Sequence, residues 1–195
     1  TEITTEDGIE VFQNEKFYLL KKNVIIKSEN FTLNADNVRI NFDKSLYDIT
    51  MLNAKGDVRF NSIQYKTKGS GENLIFEVPI EKLKVMGKKS KLFTENIKMT
   101  SDGLVEINNQ NGNFLLRGSN SKLASEHIII VAESIIGKFT NKKGENEITF
   151  LDIFDEKISY IKNNNTEMYA KKINYDYDTS IIELIDDVTI IRNEE

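Results

Sequence analysis

An all-β protein of two facing sheets, built from stacked copies of one short antiparallel strand pattern, is what this 195-residue sequence predicts. Three observations carry the prediction. A self-similar frame returns at intervals of 31 to 38 residues. Within each copy, apolar residues alternate at period two, as in Val38, Ile40 and Phe42 or Ile173 and Tyr175, the mark of a strand with one buried face. Polar turns separate these runs, and Pro79 is the one proline in the chain.

The frame is clearest from Leu33 to Phe42. An apolar residue (Leu33) is followed by a small one (Ala35), a β-branched one (Val38) and an aromatic (Phe42). The same order returns as Ile130, Ala132, Ile135 and Phe139, and as Met168, Ala170, Ile173 and Tyr177. Weaker copies place Ser101 after Met99 and Thr67 after Tyr65, the latter drifting to Phe76. The step of three from Ala35 to Val38 breaks alternation, so a bulge or corner is expected at Asp36-Asn37.

Taken in chain order, the first strand is expected from about Gly8 to Phe12, followed by the run Val24-Ile25-Ile26. The frame at Leu33 to Phe42 turns at Asp43-Lys44-Ser45 and returns through Gly56-Asp57-Val58-Arg59-Phe60. Further hairpins are expected at Asn108 to Gly112 and Asn141 to Gly144, with a tip at Lys162 to Thr166 and a last strand from about Asp187 to Arg192. Repeats that cannot bury an apolar face alone must stack on their neighbours. No Pro-rich or Ser-rich linker divides the chain, so residues 1–195 are expected to form a single domain.

Composition narrows the functional classes. The 31 acidic and 26 basic residues are interspersed and give a net charge of -5, with no basic stripe along the sequence for nucleic acid. Absence of cysteine excludes a disulfide framework and thiolate sites. No apolar run reaches the ~18 to 20 residues of a membrane-spanning helix. The opening Thr1-Glu2-Ile3 lacks a methionine, and the expectation is that an N-terminal piece, such as a secretory signal, has been removed.

The N-terminal stretch Ile3-Thr4-Thr5-Glu6-Asp7-Gly8-Ile9-Glu10, followed by Gln13, Lys16, Tyr18 and Asn23-Val24, resembles the opening of LptA/OstA-like periplasmic lipopolysaccharide-transport proteins, alphaproteobacterial ones especially. The unit with Leu33, Ala35-Asp36, Val38, Phe42 and Gly56-Asp57-Val58 is similar to the repeat of that family. The likeness is good over about residues 3 to 60. Lys22 departs from it, standing where glycine usually precedes Asn-Val, as do Thr67 and Ser101 at the small position.

The resemblance implies an open β-jellyroll whose interior takes the acyl chains of lipopolysaccharide. It implies copies joined head to tail into a periplasmic bridge from inner to outer membrane, with LptC-like and LptD-like partners. An acyl chain costs about 0.8 kcal/mol per exposed CH₂, so a carrier must shield it throughout transit. The inward set expected to do so is Val24, Ile26, Val38, Ile40, Phe42, Val58, Phe60, Phe76, Ile135, Phe139, Ile173 and Tyr175. The strands expected to pair between copies carry Ile9 and Val11 at one end and Val188 and Ile190 at the other.

No catalytic, metal or cofactor site is expected. His127 lies beside Ser125 and Glu126 but without a nucleophile-elbow glycine pattern. Asp176-Tyr177-Asp178 and Asp186-Asp187 lack an EF-hand frame, and Gly69-Ser70-Gly71 lacks the Lys-Ser or Lys-Thr of a phosphate loop. Strand aromatics such as Phe60 and Phe76 are expected in the core rather than as a base-stacking platform. Two alternatives stay open: a membrane-anchored LptC-type partner, and a structural β-solenoid that binds no lipid and whose inward residues pack shut.

Overall fold

The computed structural model describes residues 1–142 and 144–193, and among these 18 strands and one 3-10 turn make up the regular structure. The chain opens with β1 (Glu2–Thr4), β2 (Ile9–Phe12), β3 (Phe17–Lys27), β4 (Phe31–Phe42), β5 (Ile49–Ser62) and β6 (Thr67–Glu77). The turn Val78–Ile80 holds Pro79. After it come β7 (Lys82–Met86), β8 (Ser90–Thr94), β9 (Ile97–Ser101), β10 (Leu104–Asn108), β11 (Asn113–Arg117) and β12 (Lys122–Ala124). The last are β13 (Ile128–Val131), β14 (Ser134–Lys142), β15 (Glu145–Asn163), β16 (Thr166–Asp176), β17 (Ile181–Ile185) and β18 (Thr189–Arg192).

Every pairing is antiparallel, and the long strands cross from one sheet to the other. A front sheet runs from β2 through the first half of β3, β4 after its bulge and the first half of β5 to β7, β10, β11, β14 and finally β17. A back sheet runs from β1 through the opposite halves of the same strands to β8, β9, β12, β13 and finally β18. The halves part at register shifts, between Lys21 and Val24, Asn34 and Asn37, Lys55 and Val58, and Phe154 and Ser159. The expected corner after Ala35 is one of these.

Corners of two kinds alternate. At alternate crossings, the Phe154–Ser159 corner of β15 excepted, the chain enters the left-handed region, as at Lys22 and Asn23 (φ 62° and 51°), Gly56 and Asp57 (79° and 39°) and Asp186 and Asp187 (62° and 55°). Asn, Asp and Gly tolerate this region best. Lys22, standing where the resemblance expects glycine, adopts a conformation natural to glycine. Around it Glu6 receives a hydrogen bond from Asn23 Nδ2 at 2.6 Å and pairs with Lys22 Nζ at 3.1 Å.

Small residues make the intervening corners: Ala35, Ser101, Ala132 and Ala170, all buried. The second copy corrects the sequence frame. Its corner residue is Gly71, which pairs with Val58 beside the register shift, whereas Thr67 is four positions earlier at the start of β6. A Cβ on Gly71 would lie 2.6 Å from Val85 Cγ1, so glycine is the smallest member of the small-residue series.

Serines inside the corners satisfy the carbonyls that the broken ladder leaves over. Ser90 Oγ donates to the Gly87 carbonyl (2.8 Å), Ser101 Oγ to Arg117 (3.0 Å), and Ser159 Oγ to Lys171 (3.1 Å). The buried apolar residues other than Phe42 form one continuous cluster from Leu20 to Ile173. Burying each Val, Leu or Ile contributes about 1.5–3 kcal/mol, which suffices to hold the stacked repeats together without a cross-link.

Candidate functional site: the trough between the sheets

Because the strands run through the corners, the sheets meet along that edge and separate toward their hairpin tips. Side-chain size follows this wedge. On β4 the inward residues grow from Val38 through Ile40 to Phe42, and on the back-sheet half of the same strand from Ala35 through Leu33 to Phe31. On β5 they run from Val58 to Phe60, on β6 from Leu74 to Phe76, and on β16 from Ile173 to Tyr175. Close packing in a widening space requires this gradation.

All twelve residues expected to line the interior face it, at two depths. Val24, Val38, Val58, Ile135 and Ile173 lie near the corners and are at most 1% exposed. Ile26 and Ile40 are also buried. Phe42, Phe60 and Phe139 stand closer to the mouth at 6–8% exposure, and Phe76 and Tyr175 are half-buried there. Phe31, Ile128, Ile148 and Met168, absent from that set, complete the mouth layer.

The mouth differs along its length. Near the N-terminal end a hollow of about 520 Å³ is bounded by Thr1, Ser28, Phe31, Tyr65, Phe76 and Val78. Next to it the space narrows to about 30 Å³ among Phe31, Phe60, Leu74, Phe76 and Leu83. The Tyr65 and Phe76 rings meet edge to face there, with centroids 6.1 Å apart. Farther along, side chains bridge the two rows of tips: Asn96 Nδ2 donates to the Asn146 carbonyl (3.3 Å), and Asn141 Nδ2 to Glu95 Oε2 (3.4 Å).

Beyond these bridges the trough opens into a cavity of about 600 Å³. Ile97, Ile148, Leu151, Ile161, Met168 and Tyr175 form its apolar wall, with Lys142, Glu147 and Tyr177 at its rim. Lys142 pairs with Glu147 at 2.6 Å and lies 3.9 Å from the centre of the Tyr177 ring. Burial raises the hydroxyls of Tyr18, Tyr65 and Tyr175 above the usual tyrosine range, with the Glu81 carboxylate adding to the effect at Tyr65.

The residues set aside from the sequence have ordinary places. His127 is exposed at the β12–β13 tip, 3.9 Å from Glu126. Asp176 spends its carboxylate on the N–H groups of Asp178 and Thr179 in a turn. Asp187 pairs with Lys171 at 3.2 Å. Among the described residues no cluster of His, Cys, Asp and Glu is placed to hold a metal. Lys143, at the expected Asn141 to Gly144 turn, lies outside the described residues.

The two ends are sheet edges. Ile9 and Val11 on β2 are 50% and 48% exposed, and β2 pairs with β3 alone. Ile190 on β18 and Val188 just before it are 58% and 49% exposed, and among the described residues β18 pairs with β16 alone.

Strands that turn between two sheets, an apolar wedge-shaped interior and edge strands at both ends define an open β-jellyroll. Residues 7–113, more than half of the chain, match the profile of the LptA/(LptD N-terminal domain) LPS transport protein family, and the chain belongs to that family. Its fold is similar to that of LptH from Pseudomonas aeruginosa, the LptA homologous periplasmic component of the conserved lipopolysaccharide transport device. That likeness has a TM-score of 0.51 at 12% identity and covers 76% of this chain and 92% of the other. A search of curated protein sequences finds no match.

Proposed function

We propose that this chain is a periplasmic carrier that binds lipopolysaccharide with its acyl chains between the two sheets and passes it from the inner toward the outer membrane. The carrying observation is the apolar trough, lined on both walls and open at the C-terminal mouth in a cavity of about 600 Å³. Membership in a transport family rather than an enzyme family supports the same reading. Residues 1–195 act as one unit, and partners of LptC-like and LptD-like type hand the lipid on and off.

Assembly follows from the ends. Each end presents one edge of the front sheet and one of the back sheet, β2 and β1 at one end, β17 and β18 at the other. A second copy set head to tail continues both sheets, satisfies the free backbone groups and covers Ile9, Val11, Val188 and Ile190.

A structural solenoid that binds no lipid is the second reading. It is favoured by the complete enclosure of Leu33, Leu92 and Leu116 in the deep layer. Photocrosslinking from Phe42, Phe60, Met168 and Tyr175 in cells making lipopolysaccharide separates the two. Lipid adducts from the mouth positions are expected, and a folded protein with no adduct at any of the four overturns the carrier reading. Light scattering that remains monomeric at high concentration overturns the head-to-tail assembly.

A further inference from the structure

The two outer faces of this molecule carry their lysines differently. On the front sheet Lys82 pairs with Glu106 at 2.8 Å, Lys84 with Glu77 at 3.0 Å, and Lys172 with Asp152 at 4.0 Å, while Lys55 on β5 and Lys138 on β14 stand exposed and well apart from each other. On the back sheet four successive strands each present one lysine outward: Lys68 on β6, Lys91 on β8, Lys98 on β9 and Lys122 on β12. All four are exposed, and none makes an ion pair among the described residues.

The register sets them side by side. Lys68 and Lys98 flank Phe93 across three strands, their ammonium groups 5.8 and 5.5 Å from the ring centre. Lys91 and Lys122 face Thr100 from either side. Of the carboxylates around this patch, Glu95 is occupied by Lys66 at 2.8 Å, Asp57 by Arg59 at 2.9 Å, and Asp102 by Asn120 at 2.6 Å and the Lys89 N–H at 2.8 Å, while Glu72 stands exposed at the β6 corner beside Gly87. Four exposed lysines without an ion pair among the described residues are thus gathered on one outer face of a chain whose net charge is -5.

We infer that the outer face of the back sheet, centred on Lys68, Lys91, Lys98, Lys122 and Phe93, docks on the surface of a bilayer containing anionic lipid. The chemistry of the face selects this occupant. All four cations are lysines, compact point charges without the planar fork by which arginine grips one phosphate. Lysines spread one per strand along a sheet face form no cradle for a discrete anion but can each meet a separate head group of a lipid surface. The opposing sheet lies ~10 Å farther away, beyond a screening length of ~8 Å at physiological salt, so its acids weaken the attraction little.

The test uses the full chain with vesicles of phosphatidylcholine alone and of an equal mixture with phosphatidylglycerol, read by flotation. Binding to the mixed vesicles only, lost at high salt, is expected. Each lysine at an anionic surface contributes about five-fold, so the quadruple variant K68Q/K91Q/K98Q/K122Q should bind about two to three orders of magnitude more weakly. K82Q/K84Q on the front sheet should bind as wild type does.

Equal binding to both vesicle types, binding to neither, or an unchanged quadruple variant overturns the inference. So does retention by immobilised polyglutamate without vesicle binding, which assigns the face to an acidic polypeptide instead. The vesicles contain no lipopolysaccharide, so this result and the result of trough crosslinking fail independently.

Discussion

Replacing Ile173 by alanine asks how tightly the deep layer of the trough is closed. Ile173 is fully buried, pairs with Ile153 and Leu184 on its two neighbouring strands and belongs to the continuous core. Truncation there removes three carbons from an enclosed site and costs about 2–5 kcal/mol, transfer and cavity together. For a chain of this length each kcal/mol lowers the melting temperature by about 2–4 °C, so a fall of roughly 5–20 °C is expected. The comparison is Ile182→Ala, on the next strand, where 42% exposure limits the loss to about 1 kcal/mol or less. Circular dichroism melts and urea titrations of both variants read the difference, with an unchanged m-value for each. A loss under about 1 kcal/mol at Ile173 refutes the packed-wedge account, because a residue facing an unfilled groove leaves no new cavity behind.

Other outcomes follow from the corners and the mouth. Gly56→Ala drives a Cβ into the Asp36 side chain at a φ of 79°, and a destabilisation of about 1–3 kcal/mol is expected in denaturant titration. Ser121→Ala removes a buried hydroxyl whose single O–H lies within hydrogen-bond reach of the Gly118 carbonyl (2.7 Å) and Ser101 Oγ (2.9 Å), and should cost about 1–3 kcal/mol, measured the same way. Tyr18, Tyr65 and Tyr175 have hydroxyls raised by burial, so the stability that they contribute is complete below an unfolded-state value of ~10 and is lost as pH rises through the higher folded values. Tyrosinate absorbance with increasing pH should therefore show a late-titrating subset that becomes accessible as the protein unfolds.

Much of the architecture was legible because the wedge is written into each strand. The order Ala35, Val38, Ile40, Phe42 is both the repeat and the widening of the space from corner to mouth. The second copy was misplaced at Thr67 because its corner residue is Gly71, and glycine has no side chain to mark a buried position. The depth of the inward set was hidden for another reason. Period-two alternation says which face a residue occupies but not how far the opposite sheet stands from it, so Ile173 and Tyr175 look alike in sequence and differ in exposure. Ile128-Ile129-Ile130 and Ile181-Ile182 alternate with nothing, and that Ile128 and Ile182 line the open mouth while Ile130 is fully buried depends on tertiary pairing. The back-sheet lysines are far apart in the chain and meet only through the register of β6, β8, β9 and β12.

The central claim is that acyl chains enter between the sheets. Its most direct test is lipid A carrying a photoactivatable group at the end of an acyl chain, bound to the purified protein, irradiated and mapped by peptide mass spectrometry. Adducts on inward residues of the C-terminal mouth, Ile148, Met168 and Tyr175 foremost, are expected. Adducts confined to outward residues such as Ile136 and Phe154, or none on a folded protein, would contradict it.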